Sequence, residues 1–442
     1  MRLSSRVLKF IAIVAPLAIC QPASALDLIQ SYREALANDS TFAAARYANV
    51  AGQERLPQAR ANLLPNVGAS LGRTHAETDS GPLSVSGNST DLGLQLVQPL
   101  FDWSIWQGYE QSKLLVAISD AQLVQARQDL ALRVSQAYFD VLAAQDDLTF
   151  IAAQKSAISE QLASAQRNFE IGTATITDTY EAQARYDLVV ATELQAESAL
   201  DLARSALRQV IGTSPGQLAT LRSDVEVPAP QPARVDDWIN QAVTQNLSVI
   251  QSQLNTEVAA RSIEIAKSGH LPTVALTASL SRNVDGNART QNGVMLPRGT
   301  TTRAIGVQIL VPVFSGYATS SRITESVALR EKALFDLETA RRNVSQLTRQ
   351  AYLGVTSGLA QIQALKAAEV SSRSALDANK TGYEVGVRIN IDVLNAQQQL
   401  FSTQRDLARA RYNALQFSLQ LKSAIGTLSE ADVEGINRLL MP

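Results

Sequence analysis

The chain has 442 residues, 18% of them charged, with a formal net charge of −2, one cysteine and two histidines. A mildly acidic balance excludes a general nucleic-acid binder, and one cysteine excludes a disulfide scaffold. No Gly-x-Ser-x-Gly, phosphate-binding glycine loop or His-Glu-x-x-His occurs, and His75 and His270 lie far apart with no acidic cluster beside them, so catalysis, a cofactor and a metal site are not expected.

Residues 1–25 carry Arg2, Arg6 and Lys9, an apolar run from Phe10 to Ile19, and then Ala23-Ser24-Ala25, the layout of a secretory signal peptide. The run is too short to cross a bilayer, and Ile19 before Cys20 is not the small residue a lipidation signal wants. Its removal takes away the cysteine and three basic residues, which leaves 36 Lys and Arg against 41 Asp and Glu, a formal charge of −5. No later apolar run reaches the length of a membrane helix, so any membrane insertion must use strands.

From about Leu28 to Arg60 the pattern is helical, and Leu64-Pro65 ends it. A β-hairpin is expected over 66–98. Val67, Ala69 and Leu71 alternate with Gly68, Ser70 and Gly72, a polar loop covers about 76–90, and Leu92, Leu94 and Leu96 alternate with Asp91, Gly93 and Gln95 as far as Pro99. Strands of about ten residues suit a tilted membrane strand. The aromatics Phe101, Trp103, Trp106 and Tyr109 follow, either an interfacial girdle or helix-to-strand packing.

Long helices are then expected over 102–211. From Asp102 to Ile171 there is no proline, and apolar residues recur at steps of four and three through Leu130, Val134, Ala137, Val141, Ala144, Leu148, Ile151, Ile158 and Ala165, with Arg127 and Lys155 as breaks. That 3.5-residue period is a coiled-coil seam, and roughly 68 residues at 1.5 Å make a rod about 100 Å long. Phe169-Glu170-Ile171-Gly172 turns into a second helix that Asp178 caps and Ile211-Gly212 ends. A proline-bearing belt follows over 213–237.

The plan then repeats. Counting 214 positions on from the seam gives Leu337, Val344, Ala351, Val355, Ile362 and Leu376, and the charged breaks recur as Arg341 and Glu369. The chain thus divides into 26–225 and 226–442. The second part holds a helix over about 236–268, Leu271-Pro272, a hairpin over 273–311 with a polar loop at about 284–301, and long helices over 315–425 that turn at Tyr383-Glu384-Val385-Gly386.

Four strands cannot close a barrel, and open edges are not tolerated in lipid. Three chains would supply twelve strands around a small, polar, water-filled lumen, and twelve helices to continue it as a tube. The expected fold is therefore an α+β membrane protein with an internal two-fold repeat: four transmembrane β-strands per chain complete a 12-strand trimeric β-barrel, continued by a coiled-coil periplasmic tunnel. The alternatives are a soluble β-sandwich, which needs more strands and shorter helices, and a periplasmic structural coiled-coil protein without a pore.

The mirrored Leu-Pro before each strand pair, Pro-Leu-Phe and Pro-Val-Phe after them, and the tips Phe-Glu-Ile-Gly-Thr and Tyr-Glu-Val-Gly-Val-Arg resemble the TolC family of outer-membrane channel-tunnels over essentially the whole mature chain. The resemblance implies a homotrimer in the outer membrane of a Gram-negative-type cell, in contact with outer-membrane lipid. It also implies two partners, a periplasmic adaptor and an inner-membrane transporter of ABC or RND type, which together export proteins or small toxic molecules. It places a periplasmic gate on Tyr383 and Arg388, with Thr177 and Asp178 as partners, and a carboxylate ring on Asp392. The family's second acid is Asn395 here. Gly172, Thr173, Gly386 and Val387 resemble the turns on which adaptors dock; as residues alone, they are equally well helix ends.

Overall fold

The computed structural model describes residues 25–80, 83–222, 225–285, 290–291, 294–295 and 299–441. The expected signal peptide, including Cys20, lies outside them apart from Ala25. The helical opening is broken into α1 (Leu28–Asn38), α2 (Ser40–Gln53) and α3 (Arg55–Ala61). The first break is made by Asp39, whose Oδ1 accepts from the backbone N–H of Phe42 at 2.6 Å and so starts a new helix. Strands β1 (Asn66–Ser80) and β2 (Leu83–Phe101) follow, then the rod α4 (Trp103–Glu170) and its return α5 (Ile176–Ile211). After the short β3 (Thr220–Leu221), α6 (Val235–Gln245) and α7 (Leu247–Lys267) divide at Asn246, which caps α7 as Asp39 caps α2. The sheet resumes with β4 (Thr273–Asp285). A small pair, β5 (Thr290–Gln291) and β6 (Val294–Met295), precedes β7 (Gly299–Leu310). The second rod α8 (Ala318–Glu384), its return α9 (Asn390–Ala424), α10 (Glu430–Asn437) and β8 (Leu440–Met441) complete the chain.

The strands run farther than their apolar alternation predicts. β1 and β2 stay paired from Asn66↔Val97 out to Ser80↔Leu83, through most of the stretch expected to be a polar loop. Ser and Thr alternate well enough to keep a ladder where neither face has to be dry. The antiparallel order is β1-β2-β4-β7, so β1 and β7 are free edges. Register places the four apolar sets on one face: Leu71 opposes Leu92, Leu94 opposes Leu280, and Ala278 opposes Ile305. The opposite face carries Gly68 against Gln95, Gln95 against Ser279, and Thr277 against Gly306. A bulge between Pro99 and Phe101 sets Phe101 opposite Val274 and so turns the ring onto the apolar face.

The rods meet in a core near their middle, where Leu130, Val134, Tyr138, Phe139 and Leu142 of α4 pack on Leu28, Leu207, Ile211, Leu415 and Leu419. The Tyr138 hydroxyl donates to the carbonyls of Leu26 (3.0 Å) and Ala219 (2.8 Å), which ties the proline-bearing connection to the rod. Nearby, Asp39 accepts both guanidinium nitrogens of Arg133, at 3.0 and 3.1 Å. Burial alone would raise the Asp39 pKa, but Arg133 and the backbone N–H groups outweigh it and hold the carboxyl below its ordinary value. Toward the tips, Ile151, Ile158 and Ala165 of α4 interleave with Ala182, Val189 and Ala196 of α5 at seven-residue steps. Lys155, a break in the seam, reaches Glu193 on α5, and that hydrogen bond raises its pKa.

Candidate functional site

The two rods end alike because each has a glycine where the chain must enter the left-handed region. Gly172 has φ 76° and Gly386 φ 78°. At the first tip, Gly172 N–H donates to the Phe169 carbonyl (3.0 Å) and Thr173 N–H to that of Asn168 (2.8 Å). At the second, Gly386 donates to Tyr383 (3.1 Å) and Val387 to Gly382 (2.9 Å). Both are the double-bonded helix stop that spends two orphan carbonyls in one turn. A Cβ at either glycine would meet open space, so conformation, not crowding, demands glycine. Apolar side chains stand in water here: Ile171 is 72% exposed, Val385 68% and Val387 75%.

Asp178 closes a capping box at the start of α5. Its Oδ2 accepts from Thr175 N–H (2.9 Å) and from the Thr175 hydroxyl (2.8 Å). Thr177 beside it is exposed. Within one chain Arg388 faces Asp392 on its own hairpin, 3.5 Å apart, with side chains 59% and 33% exposed. Tyr383 accepts at its hydroxyl from Asn168 Nδ2 at 3.1 Å, so the link it makes inside the chain runs to α4. The structure thus brings Tyr383 to the facing hairpin, and within the chain neither Thr177 nor Asp178 joins Arg388 in an ion pair.

Several residues that pattern alone does not single out join the two hairpins. Asn390, 1% exposed, accepts from Gln161 Nε2 of α4 and donates to the Asp178 carbonyl of α5 at 3.3 Å. Arg185 of α5 donates to Asn395 (2.9 Å) and Gln398 (2.6 Å) of α9. Asn395 is thereby an acceptor for a guanidinium. A signal for these links does lie in the repeat. At the 214-residue offset Asn168 matches Gly382, Ile176 matches Asn390, and Arg185 matches Gln399, so the links fall where the two copies differ. Among the described residues, no group of His, Cys, Asp and Glu could hold a metal ion, and no helix is long and apolar enough to cross a membrane.

At the other end of the molecule, the sheet's apolar face stands exposed: Leu71 is 76%, Ile305 78% and Ile309 65% accessible. Where strands give way to rods, Phe314 packs edge-on against Tyr317 at 5.7 Å, and Trp106 tilts against Tyr109 at 6.2 Å. Phe314 and Tyr317 are each 77% exposed.

The family profile described as "Outer membrane efflux protein" matches residues 31–213 and 238–427. The chain is 33% identical over 420 residues to Outer membrane protein TolC of Escherichia coli (strain K12), across 94% of this chain and 85% of that protein. It is 32% identical over 424 residues to the Alkaline protease secretion protein AprF of Pseudomonas aeruginosa, across 94% and 87%. Among solved structures, the CmeC outer membrane channel of Campylobacter jejuni superimposes with a TM-score of 0.78 at 16% identity, over 93% of this chain and 89% of that one.

Proposed function

The chain belongs to the outer membrane efflux protein family, and from that premise we propose that three copies form one export conduit through the outer membrane. It is an outer-membrane protein, and its role is that of an efflux and secretion channel. One observation carries the trimeric reading: a four-stranded sheet with both edges free and most of its large apolar side chains in register on one exposed face. Unpaired edge groups cost several kcal/mol each in hydrocarbon, so the sheet enters lipid only when other sheets close it. Three copies give twelve strands with the glycine-, serine- and glutamine-bearing face inward, wide enough for water.

The rods α4 and α8 continue the barrel as a tunnel about 100 Å long. The seven-residue interleaving of α4 with α5 supports a coiled-coil wall. In this reading the tips are the gate. Tyr383, Arg388, Asp392 and Asn395 with Thr177 and Asp178 line it, and release follows when a partner draws the α8–α9 hairpin from α4–α5. The exposed turns at Gly172, Thr173, Gly386 and Val387 offer a periplasmic adaptor an apolar, rigid surface, and an inner-membrane transporter of ABC or RND type completes the machine. A channel of this kind performs no catalysis.

Purified protein added to planar lipid bilayers tests the reading. Discrete conductance steps that rise when the tips are loosened are the expected result, and a protein that leaves the bilayer silent would overturn it.

A further inference from the structure

The inner border of the apolar face has its aromatics, Phe101, Trp106, Phe314 and Tyr317; the outer border has three arginines instead. Arg73 of β1, Arg282 of β4 and Arg303 of β7 share the apolar face by register, since Arg73 opposes Thr90, Arg282 opposes Leu92, and Arg303 opposes Leu280. All three side chains are exposed, and among the described residues no ion pair or side-chain hydrogen bond engages any of the three guanidinium groups. Asp91, close by in register, is on the other face, where it accepts from Asn283.

These arginines stand at nearly one depth. Asn66 pairs through Val97 with Thr277, whereas its counterpart after the repeated Leu-Pro is Thr273, so a plane of constant depth drops four residues over two strands. Gln98, through Leu276, reaches Val307, and its counterpart before the repeated proline-phenylalanine is Val311, which gives the same slope. By that slope Arg282 and Arg303 lie level, and Arg73 is two residues nearer the rods, a spread of about 4–5 Å on tilted strands. From Val274 to Arg282 is roughly 16–20 Å of sheet height, and the arginine stems can snorkel farther out. Beyond the belt on β1 and β2 the same face carries His75, bonded to Asn88 at 3.0 Å.

We propose that Arg73, Arg282 and Arg303 form a binding belt for the phosphate groups of a phosphorylated glycolipid in the outer leaflet. A guanidinium at headgroup depth without a carboxylate partner is matched by a phosphate, which it engages through two parallel N–H donors. The belt takes the place of an outer aromatic girdle: it fixes the height of the barrel by charge where the inner border fixes it by rings. This rests on the reading of the sheet as one third of a membrane barrel.

The test is lipid retention by the full chain, read by native mass spectrometry, alongside bilayer conductance. The probes are bis-phosphorylated lipid A, the same glycolipid without its phosphates, and inorganic phosphate. The wild type binds the phosphorylated lipid at least tenfold more tightly than the dephosphorylated one. Each Arg→Gln change costs about fivefold, and R73Q/R282Q/R303Q abolishes the preference while conductance persists. Equal binding of the two lipids by a conducting wild type overturns the belt, as does full displacement by millimolar inorganic phosphate. A wild type that does not conduct at all indicts the barrel reading instead. The lipid comparison needs no variant, so a misfolded triple mutant does not spare the proposal.

Discussion

Replacing Asn390 with alanine tests whether the tips are held shut from inside each chain. The side chain is buried, and it satisfies both the Gln161 amide and the Asp178 carbonyl. Its loss removes two hydrogen bonds and leaves two partners, one on each helix of the facing hairpin, to find water. At about 1 kcal/mol per bond, plus part of the penalty for stranding a buried group, the junction weakens by about 2–4 kcal/mol. If closure depends on that junction, the open-to-closed ratio rises about 30-fold at the low end, since 1.4 kcal/mol is tenfold. The assay is single-channel recording in planar bilayers, with stability of the purified protein followed in parallel. A variant that remains folded and conducts like the wild type would refute the idea that links between hairpins keep the tip closed.

Arg388→Ser separates this from a lock between chains. Inside one chain the Arg388–Asp392 pair is solvent-exposed and worth about 0–1 kcal/mol, so conductance should change less than about fivefold unless Arg388 also bonds a neighbouring chain. A larger rise places its working partner on that neighbour. Arg185→Ala, which removes donors to Asn395 and Gln398, should raise the open probability in single-channel recordings; unchanged opening in a folded variant would contradict that assignment. Asp39→Asn should cost about 1.5–3 kcal/mol at neutral pH, since it discharges one side of a bidentate pair but can still cap α2. The Asp39 carboxyl titrates below its ordinary value, so its contribution is complete above pH ~4 and is lost as pH falls through the folded-state pKa. Acid melts should therefore be flatter for the variant, and parallel curves would remove Asp39 from the account.

The rods were legible because a 3.5-residue period sustained over many turns has few competing explanations, and the helix α4 ends within a residue of where Asp102 and Gly172 bracket it. Strand existence and facing were legible for the same reason at period two. What pattern could not supply was the register that gathers four apolar sets onto one face, or the extension of β1 and β2 through polar residues, because a ladder without a dry side leaves no hydropathy trace. The breaks at Asp39 and Asn246 were missed because a single capping residue inside an amphipathic run changes the chain's direction without changing its period. Tip residues such as Gln161, Asn168 and Asn390 look like solvated amides in any one helix. Only the packing of four helices makes them partners, and only differences between the two copies mark them in sequence.

The most direct measurement of the central claim is the number of chains in the conducting particle, obtained by native mass spectrometry of the protein extracted from the outer membrane and then tested in bilayers. Three copies per conducting particle is the predicted result, and a pore built from one chain or from two would contradict the shared barrel.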